Sequence, residues 1–299
     1  MQHPYPPTME KLEKEIAFHL EKNSTLAPVY EMYKSVLAVQ LRYLAKIEVD
    51  SNITADEMKD YFRKGNYLLA HQKPVFDGAL FTELLGSISE AIQEASPEAP
   101  DALRHLNALE EFNTDNIDAF LQKAMFFNKQ EMESFIEENE MDKRAGLDSE
   151  IIAFVIFMSL SPFLTRMMKK AEEEVGFSLW RQGHCPVCGQ VAVIAKFDSE
   201  DGSRVLECWL CHAQWVFPRL ECPYCDNRDQ KKLRFFYLPG DKSRQVHVCE
   251  ECKSYLKTVD TKSMQKDVLL DLEAIATGQL DLLAEKEGYH LPVKAPVLH

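Results

Sequence analysis

All eight cysteines of this 299-residue chain lie between Cys185 and Cys252, and each belongs to a C-x-x-C pair. The pairs are Cys185/Cys188, Cys208/Cys211, Cys222/Cys225 and Cys249/Cys252. Two such pairs supply four thiolates, the complement of one tetrahedral zinc or iron site. Four pairs make two complete sites with no ligand left over. A segment this rich in paired thiols is therefore expected to fold around metal.

Spacing suggests how the pairs combine. Nineteen residues separate the first and second pairs, 23 the third and fourth, and only 10 the second and third. The two longer gaps each hold a short hairpin, so the pairs are taken in sequence. Cys185, Cys188, Cys208 and Cys211 would hold one ion, and Cys222, Cys225, Cys249 and Cys252 the other. An interleaved cross-brace is the alternative. A structural site can contribute an apparent ~10–16 kcal/mol to folding, against a net domain stability of about 5–15 kcal/mol. Metal alone could thus hold a small module together. The functional reading needs a redox-active iron or a thiol pair that works by exchange. In Cys249-Glu-Glu-Cys252 the two carboxylates would oppose reduction of an iron there, unless they simply face water.

Charge narrows the use of this module. The whole chain carries a formal −14. Residues 181–260 contain 12 Lys/Arg and 11 Asp/Glu, and eight thiolates with two divalent ions turn their +1 into about −3. A nucleic-acid-binding ribbon needs a basic face against phosphates, so nucleic acid is not the expected partner. The N-terminus MQHPYPPTMEKLEKE shows neither the basic nor the apolar region of a secretory signal. The most apolar stretch, Ile151 to Leu160, is too short to span a bilayer and reads as a buried helix. A cytoplasmic location without membrane insertion is expected, where paired cysteines mean metal or redox chemistry more often than disulfides.

The periodicity predicts an α+β, multi-domain chain. Residues 1–178 read as an all-α domain, 179–262 as a double rubredoxin-like or zinc-ribbon β module, and 263–299 as a C-terminal helix and tail. Tyr30, Tyr33, Leu37, Leu41 and Leu44 share one helical face, as do Phe81, Leu84, Leu85, Ile88 and Ile92. Thr54 and Glu57 have capping-box spacing. Further helices are expected at about 101–112 and through Phe120, Met125, Phe126 and Phe135. Asp148 reads as the N-cap of a nearly all-apolar, central helix, and Pro162 should kink it or start a new helix beside it. After Trp180 come strand-like runs at Val191–Phe197, Ser203–Glu207, Ala213–Phe217, Leu233–Leu238 and Gln245–Val248. Helical periodicity returns from about Asp267, and the tail LPVKAPVLH reads as irregular.

No nucleotide-binding glycine loop, nucleophile elbow or H-E-x-x-H motif is present in the sequence. His184, His212 and His247 sit close to ligands, but thiolates already fill both sites, so packing beside a knuckle is the preferred reading. Trp209, Trp215, Tyr224 and Tyr255 are read as covering the metals rather than a partner. No catalytic residue is assigned.

Several ordered motifs carry a family resemblance. They are Leu160-Ser-Pro-Phe-Leu164, Trp180-Arg-Gln-Gly-His-Cys-Pro-Val-Cys-Gly189, Cys249-Glu-Glu-Cys-Lys-Ser-Tyr-Leu-Lys257, and Ala274-Ile-Ala-Thr-Gly-Gln-Leu-Asp281 with Glu287-Gly-Tyr289. Together they cover about residues 147–290, and the chain resembles formate dehydrogenase accessory proteins of the FdhE type. That resemblance implies a cytoplasmic, non-enzymatic maturation factor with a rubredoxin-like double metal module. It implies contact with the catalytic subunit of formate dehydrogenase before export, and iron or zinc on the eight cysteines named above. The rival is a thiol- or iron-dependent redox protein acting on the immature dehydrogenase.

Overall fold

The computed structural model describes residues 5–49, 53–71, 74–264 and 266–292; the last seven residues of the tail read as irregular lie outside this set. The helical part runs α1 (Met9–Lys22), α2 (Ala27–Leu44), α3 (Ala55–Arg63), α4 (Leu68–His71), α5 (Gly78–Ala95), α6 (Ile117–Ala124), α7 (Lys129–Glu138), α8 (Met141–Ala145) and α9 (Ser149–Glu174). The capping box at Thr54 and Glu57 opens α3 as its spacing predicts. A second one, Asn128 with Glu131, opens α7. That cap splits the single helix expected across Phe120 to Phe135 into α6 and α7. The helix expected at 101–112 is instead two 3₁₀ segments, Asp101–Ala108 and Glu110–Phe112. Leu103, Leu106, Leu109 and Phe112 recur every third residue, and a three-residue turn is the one that puts them on a single edge.

Helix α9 is the centre of this half. It packs on α2, α5 and α7, and Ile152, Val155, Ile156, Leu160 and Leu164 are fully buried. Among the described residues it is the one helix long and apolar enough to cross a membrane, with 78% of its most apolar window buried inside the fold. Pro162 lies inside it, so the alternative of a new helix starting there is not realised. Proline has no N–H for the carbonyl four residues back. That carbonyl, on Met158, accepts instead from Gln40 Nε2 of α2 at 2.8 Å. Helix α2 is itself buried on two sides. Tyr30 and Leu37 pack with α1 and with Leu269 and Leu272, whereas Val36, Val39 and Tyr43 enter the main core.

The second half is one six-stranded sheet: β1 (Ala192–Phe197), β2 (Arg204–Cys208), β3 (Gln214–Phe217), β4 (Leu233–Tyr237), β5 (Arg244–Cys249) and β6 (Tyr255–Asp260). The spatial order is β3-β2-β1-β6-β5-β4. Each set of three is an antiparallel meander, and the two meet through the parallel pair β1–β6, from Ile194↔Lys257 to Phe197↔Asp260. Three helices follow, α10 (Thr261–Met264), α11 (Leu270–Ala276) and α12 (Gly278–Lys286). They cover one sheet face, with Leu280 and Ala284 on Val246, Val248 and Tyr255, and Leu270 on Ile194 and Val259. On the opposite face Ala195, Leu206, Trp215 and Phe217 join the same core as α5 and α9. This α+β core is continuous from helices to sheet.

Candidate metal centres

The four C-x-x-C pairs fold into one repeated backbone shape. In each, the first cysteine's N–H donates to the carbonyl five residues on: Cys185 to Gln190 at 2.8 Å, Cys208 to Ala213 at 2.9 Å, Cys222 to Asn227 at 2.9 Å, and Cys249 to Ser254 at 3.1 Å. The residue after the second cysteine donates back to the first cysteine's carbonyl, from Gly189, His212, Asp226 and Lys253. All four of those residues have positive φ, at +77°, +60°, +55° and +57°. Only the first knuckle supplies the glycine that this conformation favours. The tight turn leaves both sulfurs of a pair on one side, and Val187 N–H donates to Cys185 Sγ at 3.4 Å.

The knuckles meet in sequence and not as a cross-brace. Cys185, Cys188, Cys208 and Cys211 form one group, and Cys222, Cys225, Cys249 and Cys252 the other, with all sulfurs of a group within 4.8 Å of one another. Within the first, Sγ–Sγ separations are 3.4 Å (Cys185–Cys211), 3.5 Å (Cys188–Cys208) and 3.7 Å (Cys188–Cys211). Within the second, Cys222–Cys252 and Cys225–Cys249 both stand at 3.7 Å. Four sulfurs each about 2.3 Å from one ion stand about 3.8 Å apart. The thiols are free and far beyond disulfide length. Donor set, spacing and number therefore fit a tetrathiolate zinc or iron ion at each group.

Each group also holds one sulfur ready as a thiolate. Burial pushes the Cys185 thiol up, but thiol hydrogen bonds from Cys188, Cys208 and Cys211 outweigh it and hold Cys185 well below the usual range. In the second group a hydrogen bond from Cys222 pulls Cys252 down to about 4, with help from Ser254. Burial pushes Cys225 up to about 12.

The first centre is locked into the helical half. The N-terminal N–H groups of α4, on Leu68 and Leu69, donate to the carbonyls of Pro186 and Val187 at 3.0 and 2.9 Å. The knuckle thus satisfies donors that a helix start leaves open. Gln190 Nε2 reaches the Phe127 carbonyl at 2.8 Å, and Trp180 Nε1 the His184 carbonyl at 2.7 Å. All four cysteines are buried. A Cβ on Gly183 would stand 1.9 Å from the Pro223 carbonyl oxygen. The approach to the first centre is therefore pressed directly onto a knuckle of the second.

The second centre lies at the open end of the sheet. Cys225 and Cys252 are only partly buried, and Asn227 Nδ2 donates to Cys249 Sγ at 3.5 Å. Beside it is a cleft of about 230 Å³, lined by Arg204, Arg219, Leu220, Arg234, Phe235 and His247 among others. Leu220 and Phe235 are more than half exposed. The carboxylates of Cys249-Glu-Glu-Cys252 turn outward to cations, Glu250 to Arg234 and Lys253, Glu251 to Lys232. Hydrogen bonds from Lys253 and Tyr289 pull Glu250 down to about 2. Their charge is thus largely spent on neighbouring cations.

His184 and His247 join neither sulfur group. His184 packs edge-on against Trp180 and Tyr67, and burial lowers it to about 4. His247 stacks on Phe235; burial, then Arg204 and Arg219, lower it to about 3. Trp215, Tyr224 and Tyr255 are buried, while Trp209 packs edge-on against Phe157 of α9. Sequence reading gave no role to Arg204. It is buried in β2 and donates to the carbonyls of Pro218 and Glu221, which fixes the approach to Cys222. A charged residue at a buried strand position was the available signal.

Residues 184–219 match the family FdhE, central domain. A Protein FdhE homolog from Aquifex aeolicus (strain VF5) is 29% identical over 192 residues, covering 62% of this chain and 64% of that protein, just under two thirds of its length. A Protein FdhE homolog from Haemophilus influenzae (strain PittGG) is 27% identical over 255 residues, 74% of this chain and 82% of that one. The fold matches the crystal structure of the FdhE protein from Pseudomonas aeruginosa with a TM-score of 0.61 over 97% of both chains, at 17% identity. The central four-cysteine segment, the relatives along the chain and the fold thus all show the same likeness, to FdhE proteins.

Proposed function

We propose that this protein is a cytoplasmic, non-catalytic accessory factor for the maturation of formate dehydrogenase, and that it binds the catalytic subunit during assembly. The likeness to FdhE proteins supports the assignment to formate dehydrogenase. The observation that carries the docking role is the asymmetry between the two centres. The first is buried against α4 and α9, whereas the second has two part-exposed cysteines beside exposed Leu220, Phe235 and Arg219. An exposed apolar patch rimmed by charge is the usual mark of a contact surface.

In this reading residues 1–178 form the scaffold, 179–262 the metal-bearing docking module, and α11 and α12, within the C-terminal segment, close the rear of the sheet. Cys185, Cys188, Cys208 and Cys211 hold one iron or zinc ion, and Cys222, Cys225, Cys249 and Cys252 the second. When bound, an ion ties two knuckles together, and iron would add one-electron redox chemistry. The test is co-purification of the wild-type chain and of Leu220→Glu/Phe235→Glu with the formate dehydrogenase catalytic subunit. Retention by wild type and loss in the variant, at equal metal content, is expected. Absence of association, together with normal formate dehydrogenase activity in a deletion strain, would overturn the reading.

A redox role for the second centre is the rival, favoured by the low, accessible Cys252 thiol. It requires that Cys252→Ser still bind the catalytic subunit yet fail to restore formate dehydrogenase activity.

A further inference from the structure

A third group of metal-binding side chains lies outside both cysteine centres. Glu207 comes from the end of β2, His212 from the knuckle turn that follows, and Asp271 from the first turn of α11. One ligand atom from each lies within 4.8 Å of the other two. Glu207 and His212 are only 4% and 6% exposed, so water scarcely reaches their polar atoms.

The hydrogen bonds define what is missing. His212 Nε2 faces Ser161 Oγ at 3.4 Å. Its Nδ1 stands 3.4 Å from Asp271 Oδ2 and has no hydrogen-bond partner, although it is buried. Asp271 Oδ2 already accepts from Tyr33 OH at 2.8 Å, and Glu207 Oε2 from Gln214 Nε2. The Tyr5 ring lies flat on the imidazole with centroids 3.6 Å apart, which fixes its plane. The nearby ammonium of Lys196 is taken by Asp267 at 3.2 Å. An imidazole nitrogen thus converges on one buried and one part-buried carboxylate, with no cationic side chain between them among the described residues. Burying such charge unpaired is costly.

We propose that Glu207, His212 and Asp271 bind a divalent first-row metal ion through one imidazole nitrogen and two carboxylate oxygens. Ligands about 2.1 Å from one ion stand about 3–4 Å apart, so the group needs little closure. The hard, sulfur-free donor set selects manganese, iron(II) or zinc and differs in kind from the tetrathiolate centres. Tyr33 and Gln214 hold the two carboxylates, and Ser161 the imidazole, in the role that supporting hydrogen bonds play around metal ligands. The site does not depend on the docking reading above.

The test is titration with manganese(II), which thiolate sites hold poorly, of protein whose cysteine-bound metal has been measured. Loss of the free-ion electron paramagnetic resonance signal counts the bound ions. One ion per chain is expected. Binding should weaken at least roughly tenfold in Asp271→Asn and in His212→Asn, with cysteine-bound metal and circular dichroism unchanged. Asparagine tolerates the left-handed backbone at 212, so the second variant guards against misfolding in the first. No manganese(II) bound by wild type, or equal binding by both variants, would overturn the proposal and leave a cluster held by a shared proton.

Discussion

Single residues set the cost of the knuckles. Gly189 combines φ of +77° with a Cβ position only 2.9 Å from the Tyr67 ring. Gly189→Ala should therefore cost about 2 kcal/mol or more, from backbone strain and overpacking together. Asp226 occupies the equivalent place in the third knuckle, where burial, and then the charge of Glu221, oppose its ionisation. Asp226→Gly relieves the strain but frees the unfolded chain, for a net gain of about 0.5–1 kcal/mol. Urea midpoints of both variants, at full metal content, check the two opposite signs. The eight cysteines were legible because a ligand pair is local, two knuckle residues apart. Glu207, His212 and Asp271 were not, since Asp271 reaches the other two only through the docking of α11 on the sheet. The positive φ at three non-glycine positions is likewise invisible in residue type, being imposed by the two hydrogen bonds that close each turn.

At the scale of elements, the continuity of α9 rests on a neighbour. Gln40→Leu removes the donor that serves the Met158 carbonyl. The loss should be about 1 kcal/mol or more, the cost of a part-buried acceptor left unpaired. In a Pro162→Ala background the helix regains its own N–H, and the same change at Gln40 should cost markedly less. A double-mutant cycle on thermal or urea unfolding reads that coupling directly, and equal costs in both backgrounds would remove the assigned link. Five of the six strands were legible from alternation, but β6 was not. Its Lys257 is buried with its ammonium on Asp281 at 2.7 Å and the Ala274 carbonyl at 2.9 Å. Buried lysine at a strand centre breaks the pattern that marks a strand, and its partners lie in helices read separately. The helix start near Asp148 was placed correctly by composition, although the Asp148 side chain makes no capping hydrogen bond.

For the whole molecule, the two centres differ in access. The cysteines of the first are buried by the helical core, whereas Cys225 and Cys252 of the second reach the surface. Chelator and an alkylating thiol reagent should strip and modify the second centre first. Mass spectrometry should find Cys222, Cys225, Cys249 and Cys252 labelled while Cys185, Cys188, Cys208 and Cys211 remain protected and the helical signal persists. Simultaneous labelling of all eight would mean that the halves open as one unit, a possibility that the Gly183–Pro223 contact makes worth measuring.

The parallel seam between β1 and β6 also bears on how the chain is made. During synthesis the first meander and its four cysteines leave the ribosome well before residues 255–260 that complete the sheet. Until β6 arrives, the β1 edge presents unpaired backbone groups from residues 192–197, an invitation to pairing with other nascent chains. Early capture of a metal ion by Cys185, Cys188, Cys208 and Cys211 would order that half-sheet and hold its edge in one register for β6. Metal supply during translation, rather than stability of the finished protein, would then govern how much of this chain escapes aggregation.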